Sequence, residues 1–154
     1  MRLWHYKLIP FLPKSQLIAQ WRELNSIYKK QDKHILINYI YGYDKKELMA
    51  YSWLVMKEMD NRGFKINSYD NFREYFSFCA SDTYFATRFL DHYPCFGGKE
   101  VTIRPFFFHH TNRYLKQCFY NLQEKYDRGQ KDFSKEQYEK LEEFVMNLTK
   151  GTEQ

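Results

Sequence analysis

Leu17, Trp21, Leu24 and Tyr28 recur at spacings of 4, 3 and 4, which sets them on one stripe of a helix predicted from Lys14 to about Lys30. Pro13 suits the start of that helix, where the N–H that proline lacks has no partner to meet. Gln16, Ala19, Gln20 and Glu23 follow i, i+3, i+4 and i+7 on a different face, so Glu23 does not point straight into the same core. A second helix is predicted from about Lys45 to Asn61, with Leu48, Ser52, Val55 and Met59 in phase. Arg62-Gly63-Phe64 is a suitable stop, with Gly63 free to take positive φ and Phe64 placed to pack back. Leu115, Cys118, Phe119, Leu122 and Tyr126 mark a third helix from about His110 to Tyr126. A fourth begins at Ser134, where Ser134 and Gln137 have capping-box spacing, runs through Tyr138, Leu141, Val145 and Leu148, and stops at Gly151.

The intervals are less regular. Residues 31–44 are a basic turn followed by a β-prone run, expected to form an irregular connection with room for a short extended piece. Between 65 and 108, Asn71–Phe78 and Asp82–Asp91 could each hold a short helix, and Pro94 to Gly98 has the composition of a tight loop. No repeat, low-complexity tract or Pro/Gly-rich linker divides the chain. The expected architecture is mostly α: residues 1–154 as a single compact domain of about four main helices with irregular connecting loops.

Composition narrows the function classes. Apolar residues make up 44% of 154, which argues against intrinsic disorder. Aromatics reach 20%; most of that excess suits a small helical core, and the remainder would suit stacking on bases. The net charge of +5 has the sign, and a modest size, for a nucleic-acid partner. Cys79, Cys95 and Cys118 are odd in number and widely spaced, matching neither a disulfide framework nor a zinc site. His109 and His110, about 100° apart if helical, cannot chelate one ion as a pair, so no metal and no cofactor are expected. Met1 to Ile18 lacks the apolar stretch of a signal peptide, and no 18-residue apolar run occurs. A soluble, cytoplasmic monomer is the expectation, without a membrane.

The N-terminal segment bears a resemblance. A register without gaps runs from Met1 through Leu8, Leu12, Leu17, Ala19 and Trp21 to Arg22-Glu23-Leu24 and Lys33-His34. A second block spans Tyr43-Asp44-Lys45 to Arg62-Gly63-Phe64-Lys65-Ile66, and a weaker third is Asn121-Leu122-Gln123-Glu124-Lys125. These residues resemble the phage-type pyrimidine-dimer DNA glycosylases with abasic-site lyase activity, the endonuclease V type. The opening Met1-Arg2-Leu3-Trp4-His5, with Leu8-Ile9-Pro10 and Leu12-Pro13, looks most similar to a bacterial branch of them.

The resemblance implies a specific chemistry. An N-terminal α-amine attacks deoxyribose C1′ of a damaged nucleotide, the base departs, an imine links protein to sugar, and β-elimination cuts the strand. An α-amine, ordinarily titrating at about 7.7–8.0 against about 10.4 for lysine, is the more nucleophilic near neutrality. On this basis Met1, Glu23 and Arg22 are the expected catalytic residues. Glu23 would stabilise charge on the sugar and move protons, and Arg22 would hold a phosphate or orient the carboxylate. Arg2, His5, Gln16, Lys30, Lys33, His34, Asn121 and Lys125 are the expected contacts to double-stranded DNA containing a damaged or abasic nucleotide. Arg2 is too bulky to permit removal of the initiator methionine. The amine would therefore belong to Met1, one residue and about 3.5 Å further out than in the phage enzyme. Leu3, Ser26 and Gln16 stand where the phage enzyme has two arginines and a histidine. The alternative function is a non-catalytic DNA-binding protein of the same fold, which would need the basic face but not Glu23; a helical interaction protein is the third possibility.

Overall fold

The structure, a computed structural model, describes residues 1–76 and 104–150. Its elements in chain order are α1 (Lys14–Lys29), α2 (Lys45–Asn61), α3 (Tyr69–Tyr75), α4 (Asn112–Asp127) and α5 (Lys135–Thr149). Two short 3₁₀ helices, Tyr6–Phe11 and Asn38–Gly42, precede α1 and α2. The protein is mostly α, and among the described residues all regular structure is helical.

The long helices lie where hydrophobic periodicity puts them, and their ends follow the local chemistry. Asp44 caps α2 by accepting the Lys46 N–H at 2.9 Å. The Gly63 φ of +75° lets the chain reverse, so that the Phe64 N–H reaches the Met59 carbonyl at 2.8 Å. Thr111 accepts the Tyr114 N–H and starts α4 just after His110, which is drawn into a buried contact instead. Ser134 and Gln137 form the reciprocal capping box at 3.2 and 3.0 Å.

Two expectations need correction. Residues 31–44 form no extended piece: the Ile37 and Asn38 N–H groups both bond the His34 carbonyl, at 3.0 and 2.9 Å. Without a partner strand, β-prone residues satisfy their backbone in local turns. The short helix expected over Asn71–Phe78 starts two residues earlier, after Ser68 turns the chain at φ +61°. In the arm, His5 caps a 3₁₀ turn by accepting the Lys7 N–H at 3.1 Å. Asp82–Asp91, Pro94 to Gly98, Gly151, Cys79 and Cys95 lie outside the described residues. Cys118 is buried as a free thiol.

One apolar cluster draws on every described helix, including Leu8 of the arm, Leu17 and Leu24 of α1, Val55 of α2, Phe72 of α3, Leu122 of α4 and Leu141 of α5. Helix α1 packs on α2 and α3, α4 packs on α5, and the arm runs over α2 and α5. Arg62, at the end of α2, clamps the arm: its guanidinium donates to the Leu12 carbonyl at 2.7 Å and to that of Pro10 at 3.0 Å, while Glu58 pairs with it at 2.7 Å. The N-terminus is thereby drawn back over the polar face of α1.

Candidate active site

That return creates a pocket of ≈ 220 Å³ between the arm, α1, the turn after α1 and α4. Met1, Arg2 and Trp4 come from the arm, Gln16, Ala19, Gln20 and Glu23 from α1, Leu36 from the turn, and Asn121 and Lys125 from α4. The four α1 residues are those of its polar face, so helical geometry alone aligns them toward one opening.

Gln20 ties the arm to the helix, and its side-chain amide is fully used. Its Oε1 accepts the Trp4 N–H at 2.8 Å and a hydrogen bond from the Tyr51 hydroxyl at 2.9 Å. Its Nε2 donates to the Arg2 carbonyl and to Glu23 Oε2, both at 3.1 Å. The Tyr51 hydroxyl also lies 2.7 Å from the Trp4 carbonyl, so its single proton is shared between that oxygen and Gln20 Oε1. A 1% exposed glutamine bonded on both ends fixes the backbone of residues 2–4 and one oxygen of Glu23 together.

Glu23 is half-buried, and its carboxyl titrates above the ordinary value, with burial as the main cause. Three groups oppose that shift by favouring the charged form: the Met1 ammonium, the Arg2 N–H and the Arg22 guanidinium. The terminal amine and the carboxyl therefore share one electrostatic environment. A carboxyl raised by burial and facing a cation can stabilise positive charge in its ionised form and holds a proton more readily than an exposed carboxyl does.

Further along, the arm is anchored by buried polar contacts. His5 Nε2–H donates to the His110 carbonyl at 2.8 Å, since its Nδ1 already accepts from Lys7. His110 Nδ1 accepts the Tyr6 N–H at 3.2 Å, and its Nε2 lies 2.7 Å from the Tyr39 hydroxyl. The Tyr114 hydroxyl donates to the Leu3 carbonyl. Both imidazoles are neutral: burial lowers His5 to about 4 and His110 to about 2. Burial also pushes up Tyr39, Tyr114 and Cys118, and the charge of Arg2 works against each of those shifts.

The structure thus gathers Met1, Arg2, Gln16, Glu23, Asn121 and Lys125 around one opening. Arg22 is exposed beside Glu23 and reaches it through charge. Lys30, Lys33 and His34 are exposed on the segment that carries Leu36 to the rim. His5 is corrected: at 1% exposure, with both ring nitrogens bonded inside the protein, it is an anchor of the arm and has no free edge for DNA. Trp4, Gln20, Tyr51, Leu36 and His110 were not anticipated as site residues. Gln20 had a visible signal, its place on the Glu23 face; the others act across 16 residues or more, or from an irregular turn. Among the described residues no three His, Cys, Asp or Glu side chains converge as a metal set, and no helix is long and apolar enough to cross a membrane.

Residues 1–71 match the family described as pyrimidine dimer DNA glycosylase, so this part of the chain is similar to that family. The match takes in the arm, α1 and α2 and ends within α3, so Asn121 and Lys125 of α4 lie beyond it. Comparison with curated proteins and with solved structures finds no match.

Proposed function

We propose, from an arm and first helix that match a DNA-repair family, that the protein is a DNA glycosylase with abasic-site lyase activity using the Met1 amine as nucleophile. The observation that carries this reading is the shared pocket of Met1 and Glu23, with the amine close enough to act on the titration of the carboxyl. The amine lone pair forms a bond to C1′ of the damaged nucleotide, and the glycosidic bond breaks with its electron pair leaving on the base. The ring oxygen then departs from C1′ and takes a proton, giving an imine between Met1 and the opened sugar. Loss of a proton from C2′ and cleavage of the C3′–O bond expels the 3′ phosphate, and water releases the protein.

Glu23 is suited to two of these steps. As the carboxylate it stabilises positive charge on the sugar while the base leaves, and its raised titration lets it pass protons during imine formation and elimination. Gln20 holds Glu23 and the Arg2 backbone at fixed spacing, which converts two flexible groups into a set geometry. Double-stranded DNA with a pyrimidine dimer or another damaged or abasic nucleotide is the proposed substrate, bound by a monomer. A distorted lesion eases extrusion of the nucleotide.

Borohydride reduction in the presence of abasic-site duplex DNA tests this. A covalent protein–DNA adduct is expected, located at Met1 by peptide mass spectrometry and lost when the amine is acetylated; Glu23→Gln is expected to block its formation or turnover. Salt-sensitive DNA binding without any adduct would overturn the catalytic reading and leave the non-catalytic DNA-binding protein. Absence of binding even at low salt would remove both.

A further inference from the structure

Ile35 and Leu36 are the unexplained residues beside the pocket. Ile35 is 79% exposed and Leu36 43%, although both are aliphatic and Leu36 lines the pocket with Met1 and Glu23. The turn that presents them is held in place on both sides. The Asp32 N–H donates to the Tyr41 hydroxyl at 2.7 Å, the His34 N–H to Asp32 Oδ1 at 2.8 Å, and the Leu36 N–H to His34 Nδ1 at 3.2 Å. Ile37, the next residue, is fully buried and roots the turn in the core. An aliphatic pair fixed outward on such a support is preorganised to meet something apolar.

The charges around the pair select the partner. Lys30 and Lys33 are exposed on the same segment, and its one carboxylate, Asp32, is turned to the His34 N–H, so the apolar tip projects from a cationic base. A second copy of this chain, itself carrying a net charge of +5, would bring like charge to that base. Duplex DNA offers the complement: phosphates outside for the lysines, and apolar base faces inside for an aliphatic wedge. We infer that Ile35, supported by Leu36, enters the base stack beside the lesion and fills the gap left when the damaged nucleotide occupies the pocket. This inference rests on the DNA-repair reading above. The tip stands at the pocket rim through Leu36, so one binding event can place the sugar by Glu23 and the aliphatic group in the vacated stack.

The test uses the full chain with Ile35→Ser and Ile35→Met. A duplex holding a tetrahydrofuran abasic analogue next to 2-aminopurine reports unstacking as a rise in fluorescence. Borohydride-trapped adduct is measured in parallel on a natural abasic site in duplex and in single-stranded DNA. Wild type and Ile35→Met are expected to raise the fluorescence, and Ile35→Ser to lose the rise. Ile35→Ser is also expected to lower the duplex-to-single-strand ratio of adduct formation by about tenfold or more, because a single strand has no stack to open. A fluorescence rise and a ratio equal to wild type in Ile35→Ser would overturn the inference. So would a wild-type dimer, seen by light scattering, that Ile35→Ser dissociates. If wild type forms no adduct on either DNA, the catalytic reading falls, while the fluorescence comparison still decides the wedge. Ile35 is exposed, so an unchanged thermal melt is expected to certify the fold of both variants.

Discussion

Acid should unfasten the arm through His5 and His110. Each ring uses one nitrogen to accept a backbone N–H, from Lys7 and Tyr6 respectively, so protonation would turn donor toward donor in a buried site. The folded values of about 4 and about 2 lie below the ordinary 6.5 that the rings regain on unfolding. Above pH 6.5 neither state binds the proton and the stability is fully present. As the pH falls below 6.5 the unfolded chain takes up protons that the folded one refuses, and stability is lost toward the folded values. At pH 5 each histidine is 1.5 units below its unfolded value, so each withdraws about 2 kcal/mol and the pair about 4 kcal/mol. That is a large share of the about 5–15 kcal/mol that holds a typical domain together. Glu23 and Glu47, both raised by burial, act in the opposite sense, because the folded state binds their protons more readily as the pH falls.

Urea unfolding at pH 8 and pH 5 measures the net effect, and a variant isolates the histidine share. His5→Asn keeps an oxygen able to cap the 3₁₀ turn and removes one titrating ring. Its loss of stability between the two pH values is expected to be about 2 kcal/mol smaller than that of wild type. Equal pH dependence in the two proteins would refute the assignment of buried neutral histidines.

Gln20→Glu replaces two donated hydrogen bonds with a negative charge 3.1 Å from Glu23. Adduct formation is expected to slow by about tenfold or more, with the Glu23 limb of the pH profile moved upward, whereas Gln20→Met slows it without that movement; an unchanged rate would deny Gln20 its positioning role. Gly63→Ala meets no atom within 4 Å but must hold φ +75°, so thermal unfolding should show a loss of about 1 kcal/mol from backbone strain alone. Lys125→Ala, from the α4 side of the pocket, should reduce the log–log salt slope of DNA binding by about 1 if it meets a phosphate. A slope equal to wild type would move Lys125 out of the interface.

What could be seen in advance was set by local rules. The stripe from Leu17 to Tyr28 and the stop at Gly63 depend on residues within a few positions of each other, and both are found where periodicity and φ preference put them. The polar face of Gln16, Ala19, Gln20 and Glu23 was equally visible, because a helix fixes it without reference to the rest of the chain. The anchoring of the arm was not. His5 meets His110 across 105 residues and Tyr114 meets Leu3 across 111, contacts that no local pattern encodes. The resemblance of the N-terminal segment put His5 among the DNA contacts; burial in an aromatic nest with Tyr6, His110 and Tyr114 decided otherwise. The turn at 34–37 escaped for a related reason, since its shape comes from the Tyr41 hydroxyl and the buried Ile37 and not from β propensity.

Trp4 forms part of the pocket wall, while Trp21, buried, donates to the Asn67 carbonyl and Trp53, also buried, sits beneath Lys57. Of the three indoles in the chain, one therefore borders the cavity. Intrinsic emission then becomes a built-in optical gauge of occupancy, with the Trp4 contribution quenched or shifted when a nucleotide enters. Replacing Trp4 by Phe would silence that signal and leave the other two indoles as an internal standard, so titrations could be followed on unlabelled protein.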